Sequence, residues 1–191
     1  MNLNLMDPKL IALALVLVLA IAVAIVFYVR KRKNTTAELR HRFGAEYDRA
    51  VQQHRSERKA EAKLENREMR VDMLKIRVLD LAERERYLSQ WRAMQYRFVD
   101  YPKGAVTEAD ELVCSLMQTR GYPVADFDQR AADISVDHPR VVENYRSAHN
   151  IALRLGKGEA STEELRTAMI HYRSLFDELV QVQTAADKRV A

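Results

Sequence analysis

The chain has 191 residues, of which 48% are apolar and 30% are charged, with 5 Gly, 4 Pro and 1 Cys. This length is enough for one anchor segment and one modest domain. A single cysteine excludes a disulfide framework and any Cys-x-x-Cys zinc or redox site. Because glycine and proline are scarce, the composition favours helices over β-sandwiches and low-complexity chains. We therefore predict an all-α protein.

A segment without charged residues runs from Leu10 to Val29, and Tyr28 is its only polar side chain. A helix of this length matches the roughly 30 Å hydrocarbon core of a bilayer. A helix packed on a water-soluble domain would carry a polar face, and this segment has none. The sequence therefore predicts a transmembrane helix over residues 10–29. A signal peptide cleaved after the small residues 22–24 is the alternative.

Basic residues follow the apolar segment, whereas Lys9 alone precedes it. The cluster consists of Arg30, Lys31, Arg32 and Lys33. The positive-inside rule predicts that residues 1–9 form a short extracytoplasmic tail and that the rest of the chain is cytoplasmic. Basic residues beside a bilayer also attract anionic lipid headgroups by roughly 1 kcal/mol each. We therefore expect the lipid bilayer as a partner, and a lipid-surface binder is one alternative function.

Positive charge is concentrated after the anchor, because residues 30–77 carry a net charge of +7 and residues 78–191 a net charge of −3. Thr35 with Glu38 predicts a helix start, and Gly44 predicts a kink or a break. Few large apolar residues occur over 52–70, which predicts an exposed charged helix. The sequence thus favours a basic helical stalk over residues 30–77.

Like charges line two faces of this stalk, and each face could instead meet a neighbouring copy. The acidic face contains Glu57, Glu61, Glu65 and Glu68, and the basic face contains Arg55, Lys59, Lys63, Arg67 and Arg70. Self-association is therefore an alternative to a solvated stalk. Nucleic acid is an unlikely partner, since the basic residues alternate with acids and no aromatic platform accompanies them.

A helical domain is predicted over residues 78–183, with about four long helices and one short helix, followed by a flexible tail over 184–191. The connector 74–78 alternates apolar and charged residues and is not expected to be helical. Helix starts are predicted at Asp80 with Glu83, Asp126 with Gln129, Asp137 to Pro139, and Ser161 with Glu164. Residues 165–180 carry the most regular helical stripe of apolar side chains.

The sequence offers no catalytic, cofactor-binding or metal-binding motif, so we expect no enzyme activity, cofactor or metal. Cys114 lies in mid-helix without a neighbouring base, which favours a structural role. No pair of histidines has metal-ligand spacing. The alternative function is a membrane-tethered enzyme or ligand sensor, with a site near His138 and His149 and with Asp133 and Asp137 if the fold brings these residues together.

An interaction surface is predicted from aromatic residues outside the core stripes and from the acid-rich segment 120–142. Tyrosine is common at binding hot spots. The candidate surface residues are Tyr96, Tyr101, Tyr122, Asp133, Asp137 and His138. The function expected from these features is that of a protein-interaction or adaptor module with a partner protein still to be identified.

Four stretches of the chain support a resemblance. They are TAELRHRFGAEYDRAV (36–51), YRFVDYPKGAVTEADELV (96–113), RGYPVADFDQRAADISVDHPRVVENYRSAH (120–149) and GEASTEELRTAMIHYRSLFDELV (158–180). They resemble a family of bacterial hypothetical proteins with one N-terminal membrane segment and a helical cytosolic region. The resemblance implies a single-pass protein of the bacterial inner membrane, and it implies no activity.

Overall fold

The computed structural model describes the backbone of residues 8–181 and the side chains in that range except those of 8–14, 25, 28, 29 and 31–34. Within this range the chain forms helices and no strand, so the all-α prediction is confirmed. Most of the predicted tail 1–9 and all of the tail 184–191 lie outside the described residues. The helices are α1 (Pro8–Phe43), α2 (Ala45–His54), α3 (Glu57–Asp72), α4 (Leu81–Asp100), α5 (Pro102–Thr119), α6 (Phe127–Asp137), α7 (Val142–Gly156) and α8 (Thr162–Gln181).

The first helix, α1, contains the whole of the predicted transmembrane segment 10–29. It continues through Thr35, so the helix start predicted at that residue is wrong. The described apolar side chains from Leu15 to Phe27 are exposed. None of the helices in the described part of the chain is sufficiently long and apolar to cross a membrane. The predicted span 10–29 also includes positions 10–14, 25, 28 and 29, whose side chains lie outside that description.

The chain divides into two compact units, Met1–His41 and Arg42–Ala191. The second unit begins inside the predicted stalk, so residues 42–77 belong to the same compact unit as the helices that follow them. Gly44, at φ +52°, separates α1 from α2, which confirms the break predicted there.

The α2–α3 pair forms a helical hairpin in place of the exposed stalk expected over residues 52–70. Arg55 adopts a left-handed conformation and Ser56 caps α3, so the chain reverses over two residues. The hairpin buries Ala60 and Leu64 of α3, and α3 packs on α6. Most side chains of residues 52–70 are exposed, as the sequence predicts, and α3 is packed through the small buried face formed by Ala60, Glu61 and Leu64.

The helical bundle consists of the four long helices α4, α5, α7 and α8 and the short helix α6, as predicted. The helix α5 packs between α4 and α8, and α7 packs against the other side of α8. Every apolar residue of the stripe predicted in α8 is buried. The principal apolar core draws its buried members from residues 87–180.

Capping residues begin three of the bundle helices where the sequence predicts. The Asp80 and Glu83 pair forms a reciprocal capping box, Asp126 accepts a hydrogen bond from the Gln129 backbone N–H at 2.8 Å, and Ser161 pairs reciprocally with Glu164. The predicted start at Asp137 to Pro139 is wrong. Asp137 ends α6, and α7 begins only at Val142.

Candidate functional site

The C-terminal half of α4, the start of α5 and the N-terminal half of α8 enclose an open groove of about 400 Å³. Its lining is formed by Gln95, Phe98, Val99, Pro102, Thr162, Arg166, Met169, Ile170 and Arg173. These positions recur every three or four residues along each helix, which places them on one face. The groove is therefore lined by one face of α4 and one face of α8, next to the start of α5.

Large apolar side chains in this groove are left in contact with water. Val99 is 82% exposed and Ile170 is 63% exposed, whereas Met169, which also lines the groove, is buried. Tyr96, also exposed, lies on the same turn of α4 as Val99. Clusters of exposed apolar residues with polar edges are typical of binding surfaces. Within residues 42–181, which exclude the exposed apolar part of α1, the groove is the strongest candidate for such a surface.

Arginine supplies the formal charge of the groove lining. Arg166 and Arg173 lie one turn before and one turn after Ile170 on α8. Each arginine also contacts an acid along α8, Arg166 with Glu163 at 3.4 Å and Arg173 with Asp177 at 3.3 Å. Exposed ion pairs of this kind contribute little free energy. Both guanidinium groups can therefore exchange these partners for a ligand.

A sharp corner between α4 and α5 closes one end of the groove. Pro102 begins α5 directly after Tyr101, and proline is favoured at this first position because its missing N–H has no helical partner there. The ring of Tyr101 lies against Gly104, where a Cβ atom would overlap it. Gly104 therefore leaves room for the exposed ring of Tyr101, which lies next to the groove-lining Pro102.

The six residues predicted as an interaction surface do not lie on one face. Tyr96, Tyr101 and Asp137 are exposed, whereas Tyr122, Asp133 and His138 are buried. The latter three are therefore corrected from surface residues to members of buried polar contacts. Sequence patterning missed this because a polar side chain with a hydrogen-bonding partner can be buried as well as an apolar one.

Tyr122 and Asp133 each have an identified hydrogen-bonding partner. The hydroxyl of Tyr122 donates to Asp137 Oδ2 at 2.9 Å, and burial raises the pKa of this tyrosine above its usual range. Asp133 accepts hydrogen bonds from Arg70 Nε and Nη2 at 2.8 and 2.6 Å. These contacts connect α6 to the preceding loop and to α3.

His138 and His149 contact different parts of the fold. His138 Nδ1 lies 3.2 Å from Glu178 Oε1 on α8. The ring of His149 stacks on Phe127, with centroids 3.6 Å apart and planes 6° apart. Burial lowers the pKa of both imidazoles. Among the residues described, no group of three or more His, Cys, Asp or Glu is placed to hold a metal ion.

Cys114 lies half-buried in α5, with its Sγ atom 3.9 Å from the hydroxyl of Tyr145. That hydroxyl accepts a hydrogen bond from Arg130 Nε at 3.1 Å. Burial raises the pKa of the Cys114 thiol, which keeps it protonated at neutral pH. A protonated thiol is a poor nucleophile.

The predicted lipid-facing cluster lies partly outside the description. Arg30 is exposed on α1. The side chains of Lys31, Arg32 and Lys33 are outside the described residues. Their contact with lipid remains a prediction from the sequence.

Sequence reasoning missed the groove because its lining residues lie on two helices that are far apart in sequence, α4 and α8. Ile170 could have indicated the groove, since it is a large apolar residue of α8 that lies outside the helix's buried stripe. Val99 gave a similar signal beside Phe98 on α4. Only their packing across the bundle shows that these residues line the same groove.

Comparison of the chain with protein-family models, with characterised proteins and with solved structures finds no match. The resemblance to bacterial single-pass proteins therefore remains an expectation.

Proposed function

We propose that this protein is a membrane-anchored interaction module whose helical unit presents the groove between α4 and α8 to a partner protein. The observation that carries the proposal is the exposure of Val99 and Ile170 in one groove, with Tyr96 and Tyr101 beside it. Covering these side chains would remove apolar surface from water, which is the main favourable term in protein association.

The polar groups of the groove suit binding more than catalysis. Its lining contributes Gln95, Thr162, Arg166 and Arg173 as hydrogen-bonding side chains. An arginine stays protonated at physiological pH, and neither an amide nor a hydroxyl is a general base on its own. These groups can orient and pair with a ligand, which supports recognition.

The anchor is proposed from the uncharged sequence of residues 10–29. The exposure of Leu15, Leu19 and Phe27 along α1 supports it, because such side chains are unfavourable in water and favourable in lipid. The basic residues 30–33 favour a cytoplasmic helical unit and an inner-membrane location. Carbonate extraction of membranes tests the anchor: the chain should stay in the pellet, and release into the supernatant would contradict it.

Site-specific photocrosslinking in intact cells tests the interaction. A benzophenone amino acid placed at Tyr96 or Val99 of the full chain should give discrete adducts with a protein. The matched control is Leu153, an exposed leucine of α7, which should give none of these adducts. Absence of adducts at the groove, or the same adducts at Leu153, would reject the groove as the contact face.

A further inference from the structure

The groove has a charge pattern that restricts what it can bind. Arg166 and Arg173 are seven residues apart on α8, which corresponds to about 10 Å, or two helical turns. Between them lie Met169 and Ile170, so two cations flank apolar side chains along α8. The lining itself contains no acidic residue; the acids that pair with the two arginines, Glu163 and Asp177, lie outside it.

An amphipathic helix is the ligand with a matching shape. A groove between two packed helices accepts the apolar face of a third helix through side chains at i, i+3, i+4 and i+7. Charged residues that border such a face recur at intervals of one or two turns. Carboxylates at those positions would come opposite the two arginines.

We propose that the groove binds an amphipathic helix of a partner protein, with Asp or Glu residues bordering its apolar face. This inference rests on the proposed function and specifies its ligand. Val99 and Ile170 contact the apolar face, and Arg166 and Arg173 form charge-assisted hydrogen bonds with the carboxylates. The arginines give up the exposed contacts with Glu163 and Asp177, which cost little to break.

A membrane surface fits the groove less well. The buried Met169 lines the groove, whereas a flat bilayer reaches only side chains that project from a surface. A helix inserts its side chains into such a recess. Anionic vesicles are therefore included in the test as a competing ligand.

Fluorescence anisotropy with designed peptides tests the inference. The full chain is held in zwitterionic detergent micelles and titrated against labelled peptides of about 18 residues, long enough for five helical turns. One peptide has Leu at the apolar positions and Glu at both borders; a second has Lys in place of Glu. The Glu peptide should bind at least about tenfold more tightly than the Lys peptide.

Variants of the chain assign the effect to the groove. Arg166→Ser combined with Arg173→Ser should weaken binding of the Glu peptide at least about tenfold. The matched control combines Arg58→Ser and Lys63→Ser, which lowers the net charge equally on exposed positions of α3. Ile170→Glu should abolish binding, whereas Leu153→Glu on α7 should leave it unchanged. Circular dichroism verifies that each variant keeps its helical content.

Three results would overturn the inference. The first is equal or tighter binding of the Lys peptide, and the second is equal loss in the control variant. The third is binding to phosphatidylglycerol vesicles that depends on Arg166 and Arg173, without binding to the Glu peptide. If any of these occurs while crosslinks still form at Tyr96, the acidic helix is rejected and the interaction module stands. If the crosslinks also fail, both proposals fall.

Discussion

Glu46 and Arg146 form a bidentate ion pair across 100 residues of sequence. Arg146 Nε and Nη2 lie 3.1 Å from Glu46 Oε1 and Oε2, respectively. The same carboxylate accepts a hydrogen bond from Arg67 Nη1 at 3.2 Å, and it is only 4% exposed. One buried carboxylate thus joins α2, α3 and α7, and the nearby pair of Arg70 and Asp133 joins α3 to α6. Charge–charge contacts thereby attach the hairpin to the bundle.

Neutralising Glu46 should destabilise the protein strongly. The Glu46→Gln change keeps the size of the side chain but leaves Arg67 and Arg146 without their anion. Breaking a buried ion pair by removing one partner costs about 3 kcal/mol or more. Urea unfolding, followed by the fluorescence of the single Trp91, measures the loss.

The matched control is Glu65→Gln, an exposed acid on α3 that should change the free energy of unfolding by less than about 0.5 kcal/mol. Similar losses in both variants would show that the Glu46 pairs contribute no more than surface charge.

Gly121 should tolerate no side chain. It adopts φ +101°, and a Cβ atom there would overlap the carbonyl oxygen of Lys75 in the connector. Gly158 is the matched control, since its φ is +77° but a Cβ atom there would meet open space. Left-handed strain alone costs about 1–2 kcal/mol. We expect Gly158→Ala to lower the free energy of unfolding by that amount in thermal unfolding, and Gly121→Ala to lower it by clearly more. Equal losses would mean that the backbone at Lys75 moves to accommodate the new Cβ atom.

Stability should fall when the pH drops below about 6.5, the usual pKa of histidine. Burial lowers the pKa of His138, with a smaller opposing effect from Glu178, so the unfolded chain binds the proton more tightly than the folded chain. The free energy of unfolding therefore decreases as the pH falls from about 6.5 through the folded pKa.

In the His138→Gln variant, the free energy of unfolding measured by urea titration should decrease less steeply between pH 6.5 and pH 5. A residual slope should remain, because burial also lowers the pKa of His149. A slope identical to that of the parent chain would exclude His138 as a source.

Two capping carboxylates should cause a further loss of stability at lower pH. The hydrogen bond from Arg77 lowers the pKa of Glu83 to about 2, and the backbone N–H of Ser161 lowers the pKa of Glu164 to about 2. Their stabilisation is present above the usual pKa near 4.5 and is lost as the pH falls toward 2. Glu83→Gln should flatten this part of the profile, measured by circular dichroism, whereas the exposed Glu85→Gln should not.

Local signals in the sequence predicted much of the bundle. A capping residue acts through backbone groups three positions away, so Asp80, Asp126 and Ser161 could be assigned without any tertiary information. The stripe of α8 was equally readable because burial on one face imposes the helical period. Pro139 misled the prediction of α7, because the turn after α6 uses His138 as its C-cap before the next helix begins.

Long-range contacts could not be predicted in the same way. Glu46 and Arg146 are ordinary charged residues in their own helices, and they meet only after the chain reverses at Arg55 and α3 packs on α6. Tyr122 and His138 were predicted to be accessible. Their partners are 15 and 40 residues away in sequence, Asp137 for Tyr122 and Glu178 for His138, so the sequence does not show that these contacts form or are buried. The groove likewise depends on Val99 and Ile170, which become neighbours only when α4 and α8 pack.

Trp91 and Phe176 stack across α4 and α8, with ring centroids 4.6 Å apart. Trp91 lies one turn before the groove-lining Gln95, and Phe176 lies three residues after Arg173. The only indole of the chain is therefore an intrinsic optical sensor of the spacing between the two helices that form the groove. A ligand that wedges them apart would change its emission without any attached dye, whereas a ligand that settles into an already open groove would leave the spectrum unchanged.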